Sequence, residues 1–293
     1  MAVRVLVTGA GGQLGSAVVA ELGRRAEKAR RGGGIDVVAA DHRRLDVCDR
    51  DAVLSAVLSL EPDVVVHAAA WTAVDACESD QMRAYRTNAL GTRFVAEAAR
   101  LSHAHLAYVS TDYVFDGRSS RPYLEWDQPN PTSVYGASKL GGEHEAASSP
   151  GASVVRTSWV CGRRGANMAK TVLRLLEGDK VLSFVDDQHG SPTIAEDLAS
   201  TLIDLALARL PGIFHVTNAG ATTWFGFARA VAQAAGVDPG RIEPISTADL
   251  HPPRPAPRPA NSVLENAALA LSGLALLPDW RESLERLVAE LVS

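Results

Sequence analysis

A tyrosine and a lysine four residues apart, Tyr135 and Lys139, could act together in proton transfer. In a helix this spacing places both side chains on one face, with their Cβ atoms about 5–6 Å apart. A free phenol has a pKa of about 10, and lowering it by about three units requires roughly 4 kcal/mol. An ammonium group about 4 Å away supplies energy of that order at an effective dielectric constant near 20. The spacing therefore predicts a phenol whose pKa is lowered by the neighbouring lysine, provided that water is kept out.

A hydroxyl group from a neighbouring element could complete this pair. Thr111 follows an apolar run at 106–110 that we predict to be a buried strand, so its side chain should emerge at the carboxyl edge of the sheet. There Thr111 could donate a hydrogen bond to the substrate oxygen that Tyr135 protonates. A Tyr-x-x-x-Lys pattern alone usually marks an exposed helix. Its position after this strand is what favours catalysis at a carbonyl group.

A glycine-rich turn follows the first predicted strand at 3–7 and opens a predicted helix over 14–31. Its glycines let backbone N–H groups approach a pyrophosphate, and the helix N-terminus carries a partial positive charge. We therefore expect the turn to bind a dinucleotide. The residues assigned to this contact are Gly9, Gly12, Gln13, Leu14 and Gly15.

The end of the second predicted strand, 35–40, bears on which dinucleotide is bound. Asp41 could accept a hydrogen bond from a ribose 2′-hydroxyl, which favours NAD. Arg43 and Arg44 follow at once and could pair with the 2′-phosphate of NADP. The two patterns conflict, and we expect NADPH with NADH as the alternative.

Apolar strands alternate with helical stretches through the first half of the chain. Further strands are predicted at 63–68 and 153–157, and Gly32, Gly33 and Gly34 should end the first helix. The other predicted helices are 51–60, 80–101, 133–147, 166–177, 194–208, 224–235 and 279–292. This pattern is typical of an α/β fold, a Rossmann-like doubly wound parallel sheet covered on both faces.

The second half is less regular and suggests a smaller C-terminal lobe. We predict a dinucleotide-binding domain over 1–158, to which some later segments return, and a mainly substrate-binding lobe over 159–293. The proline-rich segment 251–259 should form neither helix nor central strand. It is either a stiff surface loop or a loop that closes over substrate.

Composition excludes several partners. A formal net charge of -5 gives no broad attraction to nucleic acid or to anionic membranes, and we see no apolar run long enough to span a bilayer. Cys48, Cys77 and Cys161 are scattered without metal-ligand spacing. We interpret them as buried thiols of a soluble cytoplasmic protein.

At this point the sequence resembles the extended short-chain dehydrogenase/reductase family, in which the glycine turn, Asn88, Thr111, Tyr135 and Lys139 have counterparts. The resemblance is strongest to the dTDP-4-dehydrorhamnose reductase branch and covers nearly the whole chain. The matching stretches are GQLG at 12–15, AAAWTAVD at 68–75, STDYVFDG at 110–117, VYGASKL at 134–140, RTSWV at 156–160, DQHGSPT at 187–193 and RPANS at 258–262. It implies reduction of the C4 ketone of dTDP-4-dehydro-L-rhamnose to dTDP-L-rhamnose, with a nicotinamide cofactor.

The resemblance also implies a role for each matching residue. Tyr135 would donate the proton, Lys139 would tune Tyr135 and hold the nicotinamide ribose, and Thr111 would polarise the ketone. Further cofactor contacts map onto Asp41, Asp46, Val47, Ala69, Ala70 and Tyr135, and Arg43 joins them because of its place after the second strand. Substrate contacts map onto Thr111, Asp112, Tyr135, Trp159 and Arg258. Trp159 could equally be a core residue, and Asn88 could equally be a structural hydrogen-bonding residue.

Some members of the family dimerise through a magnesium ion held by glutamates. Ala17 stands here at one of these positions, while Glu196 and Glu290 match others. Magnesium prefers hard oxygen ligands and binds less well when a carboxylate is lost. A magnesium ion held in this way is therefore not expected, no metal ligand is assigned, and we predict a monomer or a homodimer.

Three other functions remain open. A reductase of another dTDP-4-ketosugar, as in antibiotic sugar synthesis, would need the same residues. A 4,6-dehydratase or 4-epimerase would share the scaffold, but dehydratases usually carry Asp-Glu after the threonine, whereas Asp112 is followed here by Tyr113. A non-catalytic regulatory subunit, like the β subunit of methionine adenosyltransferase, would not need the intact Thr111, Tyr135 and Lys139.

Overall fold

A six-stranded parallel sheet forms the centre of the protein, in a computed structural model that describes residues 2–29 and 34–293. The strands are β1 (Val3–Thr8), β2 (Ile35–Ala40), β3 (Val64–His67), β4 (His105–Thr111), β5 (Ser153–Thr157), β6 (Val160–Cys161), β7 (Leu182–Val185), β8 (His189–Gly190), β9 (Thr193–Ile194), β10 (Gly212–His215), β11 (Thr222–Thr223) and β12 (Ile242–Ile245). In the central sheet they lie in the order β10-β5-β4-β3-β1-β2. The order in which strands are added therefore reverses between β1 and β3: β2 lies on one side of β1, and β3, β4, β5 and β10 follow on the other.

Helices cover both faces of this sheet. They are α1 (Gln13–Lys28), α2 (Arg50–Leu60), α3 (Val74–Ser79), α4 (Gln81–Tyr85), α5 (Gly91–Leu101), α6 (Val134–Ala146), α7 (Met168–Leu176), α8 (Ala195–Leu207), α9 (Trp224–Ala234), α10 (Ala267–Leu271) and α11 (Trp280–Val292). Alternate residues of each strand point to opposite faces. Val5 and Val7 of β1 pack with α1 and α8, whereas Leu6 packs with α2 and α5. The predicted doubly wound fold is confirmed.

The second half of the chain contributes to two regions. Strand β10 joins the central sheet and α8 packs against α1, so these segments return to the first half. Helices α7, α9 and α11 instead share a separate apolar cluster around Phe227 and Trp280. The assignment of 159–293 mainly to substrate binding stays a prediction.

The predicted helix 80–101 is interrupted in the structure. Asp80 caps α4 by accepting a hydrogen bond from the Arg83 backbone N–H at 3.1 Å, and a π-helical turn at Arg86–Leu90 then separates α4 from α5. The 3.6-residue periodicity of the sequence does not reveal such a turn. Isolated π turns occur often at functional sites, and this one carries the buried Asn88.

The other predicted elements agree with the structure to within a few residues at their ends, whereas strands β6 to β12 and helices α3 and α10 are not predicted. Ser133 caps α6 by accepting from the Gly136 N–H at 3.1 Å, and segment 251–259 contains neither helix nor strand. The predicted end of the first helix at 31, and Gly32 and Gly33 with it, lie outside the described residues. None of the helices in the described part of the chain is long and apolar enough to cross a membrane.

We expect Gly15→Ala to lower the melting temperature by several degrees. A Cβ atom at Gly15 would lie 2.1 Å from the backbone oxygen of Gly9, so the glycine turn would have to move. Gly23→Ala is the matched control because it lies in the same helix with open space around it. Replacing a glycine inside a helix by alanine should stabilise the protein by about 0.5–1 kcal/mol. Equal melting temperatures for the two variants would contradict a close approach at Gly15.

Candidate functional site

A cavity of about 1250 Å³ opens between β1 and β3, where the order of the strands reverses. It lies at the carboxyl ends of β1, β2 and β3, the place where ligands bind in doubly wound sheets. Its lining includes many of the residues assigned to the cofactor, namely Gly9, Gly12, Asp41, Arg43, Asp46, Val47, Ala69 and Ala70. The structure therefore brings these predicted residues together.

The glycine turn is shaped for close backbone contact. Gly9 has a φ of 69°, and a Cβ atom there would lie 2.6 Å from the backbone nitrogen of Ala69. Gly12 caps α1 without a side-chain hydrogen bond, so the first N–H groups of the helix remain free to bind an anion. The turn thus fits a pyrophosphate group.

Of the two arginines after β2, one is hydrogen-bonded to the backbone and the other lines the cavity. The Asp41 carboxylate accepts hydrogen bonds from the backbone N–H groups of Arg43 and Arg44, at 3.1 and 3.0 Å. The Arg44 guanidinium donates to the Ala39 carbonyl at 3.1 Å, away from the cavity. Arg43 lies in the cavity lining. The exposed His42 lies there too, although no sequence pattern predicts it as a cofactor residue.

Cys48 also lines this cavity, which corrects the expectation of three buried thiols. Cys77 and Cys161 are buried, but Cys48 is only half-buried. Its thiol lies 3.7 Å from the Thr87 hydroxyl, and partial burial raises the pKa of the thiol. A raised pKa leaves it mostly protonated and poorly reactive.

Helix α6 carries the predicted catalytic lysine into a buried position. The Lys139 ammonium donates a hydrogen bond to the Val109 carbonyl at 2.7 Å and lies 4.2 Å from the centre of the Tyr108 ring. Only 2% of Lys139 is exposed, and this burial lowers its pKa to about 7, against the raising effect of Glu143. The cation is held by β4 and not by the Tyr135 phenol.

The predicted lowering of the Tyr135 pKa is wrong for this arrangement. Tyr135 is 8% exposed, and its ring meets that of Tyr113 edge to face at 5.6 Å. Burial raises the pKa of the phenol well above its usual value, and hydrogen bonding with Thr111 opposes this only in part. The physical reason is that desolvation acts on the phenol directly, whereas the Lys139 cation points to the Val109 carbonyl.

Asn88 connects the lining of the cavity to α6, the helix that carries Tyr135 and Lys139. Its side-chain oxygen accepts from the Trp71 N–H at 2.8 Å, and its amide donates to the Trp71 carbonyl at 3.1 Å and to the Ser138 hydroxyl at 2.9 Å. One buried side chain therefore fixes the loop after β3 against α6. This geometry supports the structural alternative for Asn88.

Asp112 lies beside Thr111 at the end of β4. Its Oδ1 atom accepts the Thr111 hydroxyl at 3.0 Å, while within the described residues its buried Oδ2 atom has no hydrogen-bond partner in direct contact. Burial raises the pKa of this carboxyl to about 6, although the nearby Ser262 hydroxyl and the hydrogen bond from Thr111 oppose this. A substrate hydroxyl could satisfy the unpaired oxygen.

Trp159 is neither a plain core residue nor a free surface residue. It has a φ of 45°, and its ring stacks on that of Trp224 with centroids 3.5 Å apart. Gly190 lies directly against the indole, where a Cβ atom would be 2.4 Å from Trp159 Cε2. No sequence pattern indicates Trp224 as its partner, because the two residues are distant along the chain.

Arg258 pairs with Asp75, although the resemblance assigns it to substrate. The guanidinium contacts both carboxylate oxygens, with Nη2 2.8 Å from Oδ2, and holds the pKa of Asp75 below its usual value. The Ala256 N–H donates to the same carboxylate at 3.2 Å. Segment 251–259 is thus fastened to the end of the AAAWTAVD stretch, and a contact of Arg258 with substrate stays a prediction.

The glutamates that match metal positions are bound to an arginine. Arg163 Nε lies 3.0 Å from Glu196 Oε1 and 3.3 Å from Glu290 Oε2. Ala17 is buried in the apolar cluster between α1 and α8. Within the described residues, no group of three or more acidic, histidine or cysteine side chains is arranged to hold a metal ion.

Comparison with known proteins agrees with this geometry. The family model described as the RmlD substrate binding domain matches residues 3–293. The chain is 41% identical to a dTDP-4-dehydrorhamnose reductase of Mycobacterium tuberculosis, with 98% of this chain and 92% of that protein covered. It is 39% identical to a probable dTDP-4,6-dihydroxy-2-methyloxan-3-one 4-ketoreductase of Streptomyces antibioticus, with 99% and 96% covered.

A solved structure shows the same fold. The dTDP-4-dehydrorhamnose reductase of Bacillus anthracis, solved in complex with NADP, superposes with a TM-score of 0.92 at 37% identity and covers 99% of this chain and 100% of its own. The resemblance inferred from the sequence motifs is confirmed. This chain belongs to the RmlD substrate-binding-domain family of nicotinamide-dependent reductases.

Proposed function

We propose that this chain reduces the C4 ketone of dTDP-4-dehydro-L-rhamnose to give dTDP-L-rhamnose, with NADPH as the preferred cofactor. The observation that carries the proposal is the burial of Thr111, Tyr135 and Lys139 together where β4 meets α6. The names of the M. tuberculosis and B. anthracis relatives support the substrate.

The residues divide the chemistry between them. The nicotinamide, when bound, supplies the hydride that the C4 carbon accepts. Tyr135 gives its phenolic proton to the ketone oxygen, so that the carbonyl becomes a hydroxyl group. With substrate bound, the Thr111 hydroxyl turns from Asp112 Oδ1, donates its hydrogen bond to the same ketone oxygen and withdraws charge from the carbon.

The raised pKa of Tyr135 suits this direction of reaction. A phenol with a raised pKa stays protonated at neutral pH and is ready to donate. Its conjugate base forms only during the reaction, and the buried Lys139 cation on the same helix face then stabilises that charge. Lys139 thus acts on the product phenolate rather than on the resting phenol.

Arg43 is the residue that we expect to favour NADPH over NADH. It lines the cavity, whereas Arg44 is hydrogen-bonded to the Ala39 carbonyl. A hydrogen bond to a charged group contributes about 1.5–3 kcal/mol. Arg43→Ala should therefore weaken NADPH binding by roughly tenfold or more and leave NADH binding nearly unchanged, as measured by fluorescence titration.

Arg44→Ala is the matched control for this variant. It removes the same type of side chain from the adjacent position, and we expect less than about a twofold change in NADPH affinity. If Arg43→Ala weakened NADH and NADPH binding equally, Arg43 would not contact the 2′-phosphate.

The direct test supplies the purified protein with dTDP-4-dehydrorhamnose and either NADPH or NADH. Loss of absorbance from the reduced cofactor, with dTDP-L-rhamnose identified as the product, is the expected result. Cofactor oxidation with no change in the sugar, or no oxidation at all, would reject the proposal. The second outcome would instead favour a non-catalytic regulatory subunit.

The S. antibioticus relative favours a second candidate, a reductase of another dTDP-4-ketosugar. The same site would serve, since Thr111 and Tyr135 act on the ketone and not on the rest of the sugar. The ratio of kcat/KM between dTDP-4-dehydrorhamnose and a second dTDP-4-ketosugar separates the two candidates.

A further inference from the structure

Three side chains at four-residue intervals along α6 face three consecutive residues of β4. Tyr135 lies near the Thr111 hydroxyl, and the Lys139 ammonium donates to the Val109 carbonyl at 2.7 Å. One turn further, the Glu143 carboxylate accepts the hydroxyl of the intervening residue, Ser110, at 2.5 Å. The proposed proton donor, its cation and a carboxylate therefore form one row between a helix and a strand.

The carboxylate at the end of this row is buried and fully engaged. Glu143 is 5% exposed, and its two oxygens accept from Arg156 Nε at 2.9 Å and Nη2 at 2.7 Å. Arg156 is itself 1% exposed and also donates to the Glu125 carbonyl at 3.3 Å. Buried ion pairs contribute little to stability compared with apolar residues of similar size. Stability alone therefore does not explain why Glu143 and Arg156 are buried here.

Glu143 is the negative charge that faces Lys139. The other groups around the ammonium are His67 on β3, which burial keeps neutral by lowering its pKa to about 3, and the ring of Tyr108. Burial lowers the pKa of Lys139 to about 7, and the Glu143 charge opposes that effect. Without this carboxylate, a buried ammonium at neutral pH would lose its proton more readily.

We propose that Glu143, held by Arg156 and Ser110, is a positioning residue that keeps Lys139 charged and seated against β4. This inference rests on the proposed function, because it assumes that the Lys139 cation serves reduction and cofactor binding. It extends the Tyr-x-x-x-Lys pattern to Tyr-x-x-x-Lys-x-x-x-Glu, with each member one helical turn from the next.

The test compares the pH dependence of the wild-type protein and a double variant, Glu143→Gln with Arg156→Gln. Removing both members of the ion pair avoids leaving the Arg156 guanidinium buried without its carboxylate. NADPH affinity is measured by fluorescence between pH 6 and 9, a range of about three units, and kcat for ketone reduction is measured over the same range. Lysine is charged below its pKa, so NADPH affinity and kcat should both decrease as pH rises, and we call this decrease the alkaline fall. Losing the carboxylate should move the alkaline fall of both quantities to lower pH by about one unit.

Glu97→Gln is the matched control, because Glu97 forms an exposed two-bond pair with Arg50 far from Lys139. Its alkaline fall should coincide with that of the wild type. If the folded double variant showed no shift, or if the control shifted equally, the inference would be overturned.

A second variant covers the case in which the double variant does not fold. Glu143→Asp keeps the counter-charge of Arg156 but withdraws the carboxylate by one methylene group, and it should shift the alkaline fall in the same direction by a smaller amount. An unchanged profile for this variant would also overturn the inference. NADPH binding is measured without sugar, so a wild-type protein that fails to reduce the ketone rejects the proposed function while the binding profile still tests Glu143.

Discussion

Tyr135→Phe should lower kcat for ketone reduction by roughly a hundredfold or more, the usual contribution of a positioned proton donor. The affinity for NADPH should stay nearly unchanged, because the proton is needed only after the cofactor has bound. Phenylalanine keeps the ring that packs against Tyr113 and removes only the hydroxyl group. The measurements are steady-state kinetics and NADPH fluorescence titration.

Tyr123→Phe is the matched control for this loss. Tyr123 is also buried, stacks on Phe115 and donates its hydroxyl to Asp116 at 2.8 Å, outside the candidate site. Its removal should cost about 1 kcal/mol of stability and leave kcat within about twofold of wild type. Normal turnover in Tyr135→Phe would refute the assignment of the proton donor.

Lys139→Met should weaken both ketone reduction and cofactor binding. We expect kcat to fall by roughly a hundredfold and NADPH to bind about tenfold less tightly, the equivalent of about 1.4 kcal/mol. Methionine fills a similar volume in the buried site but cannot donate to the Val109 carbonyl or carry charge. The variant should fold, because Glu143 keeps its partner Arg156. Activity that depends on the protonated lysine falls as pH rises through the pKa of Lys139, and this fall should disappear in the variant.

Lys170→Met serves as the control, since Lys170 lies on α7 and its ammonium donates to the Arg163 carbonyl, outside the residues that line the cavity. Kinetics and NADPH affinity should match those of wild type. If Lys139→Met left the NADPH affinity unchanged, the proposed contact of Lys139 with the nicotinamide ribose would be wrong.

Local sequence determined much of the fold and part of the site. The glycine turn after β1, the strand that ends at Thr111 and the helix cap at Ser133 all depend on residues within one or two turns of each other. Their steric and hydrogen-bonding preferences act over that short range, so a single sequence reveals them. The carboxyl-edge rule for parallel sheets then places the elements around one cavity.

The tertiary structure alone decided the electrostatics of the site and several of its contacts. Asp75 and Arg258 pair across 183 positions, and Trp159 stacks on the distant Trp224. Burial of Tyr135 and Lys139 by segments far apart in sequence reverses the expected direction of the phenol pKa and directs the ammonium to β4. The reason is that desolvation and long-range pairing depend on which surfaces meet, and a spacing of residues along one helix carries no information about that.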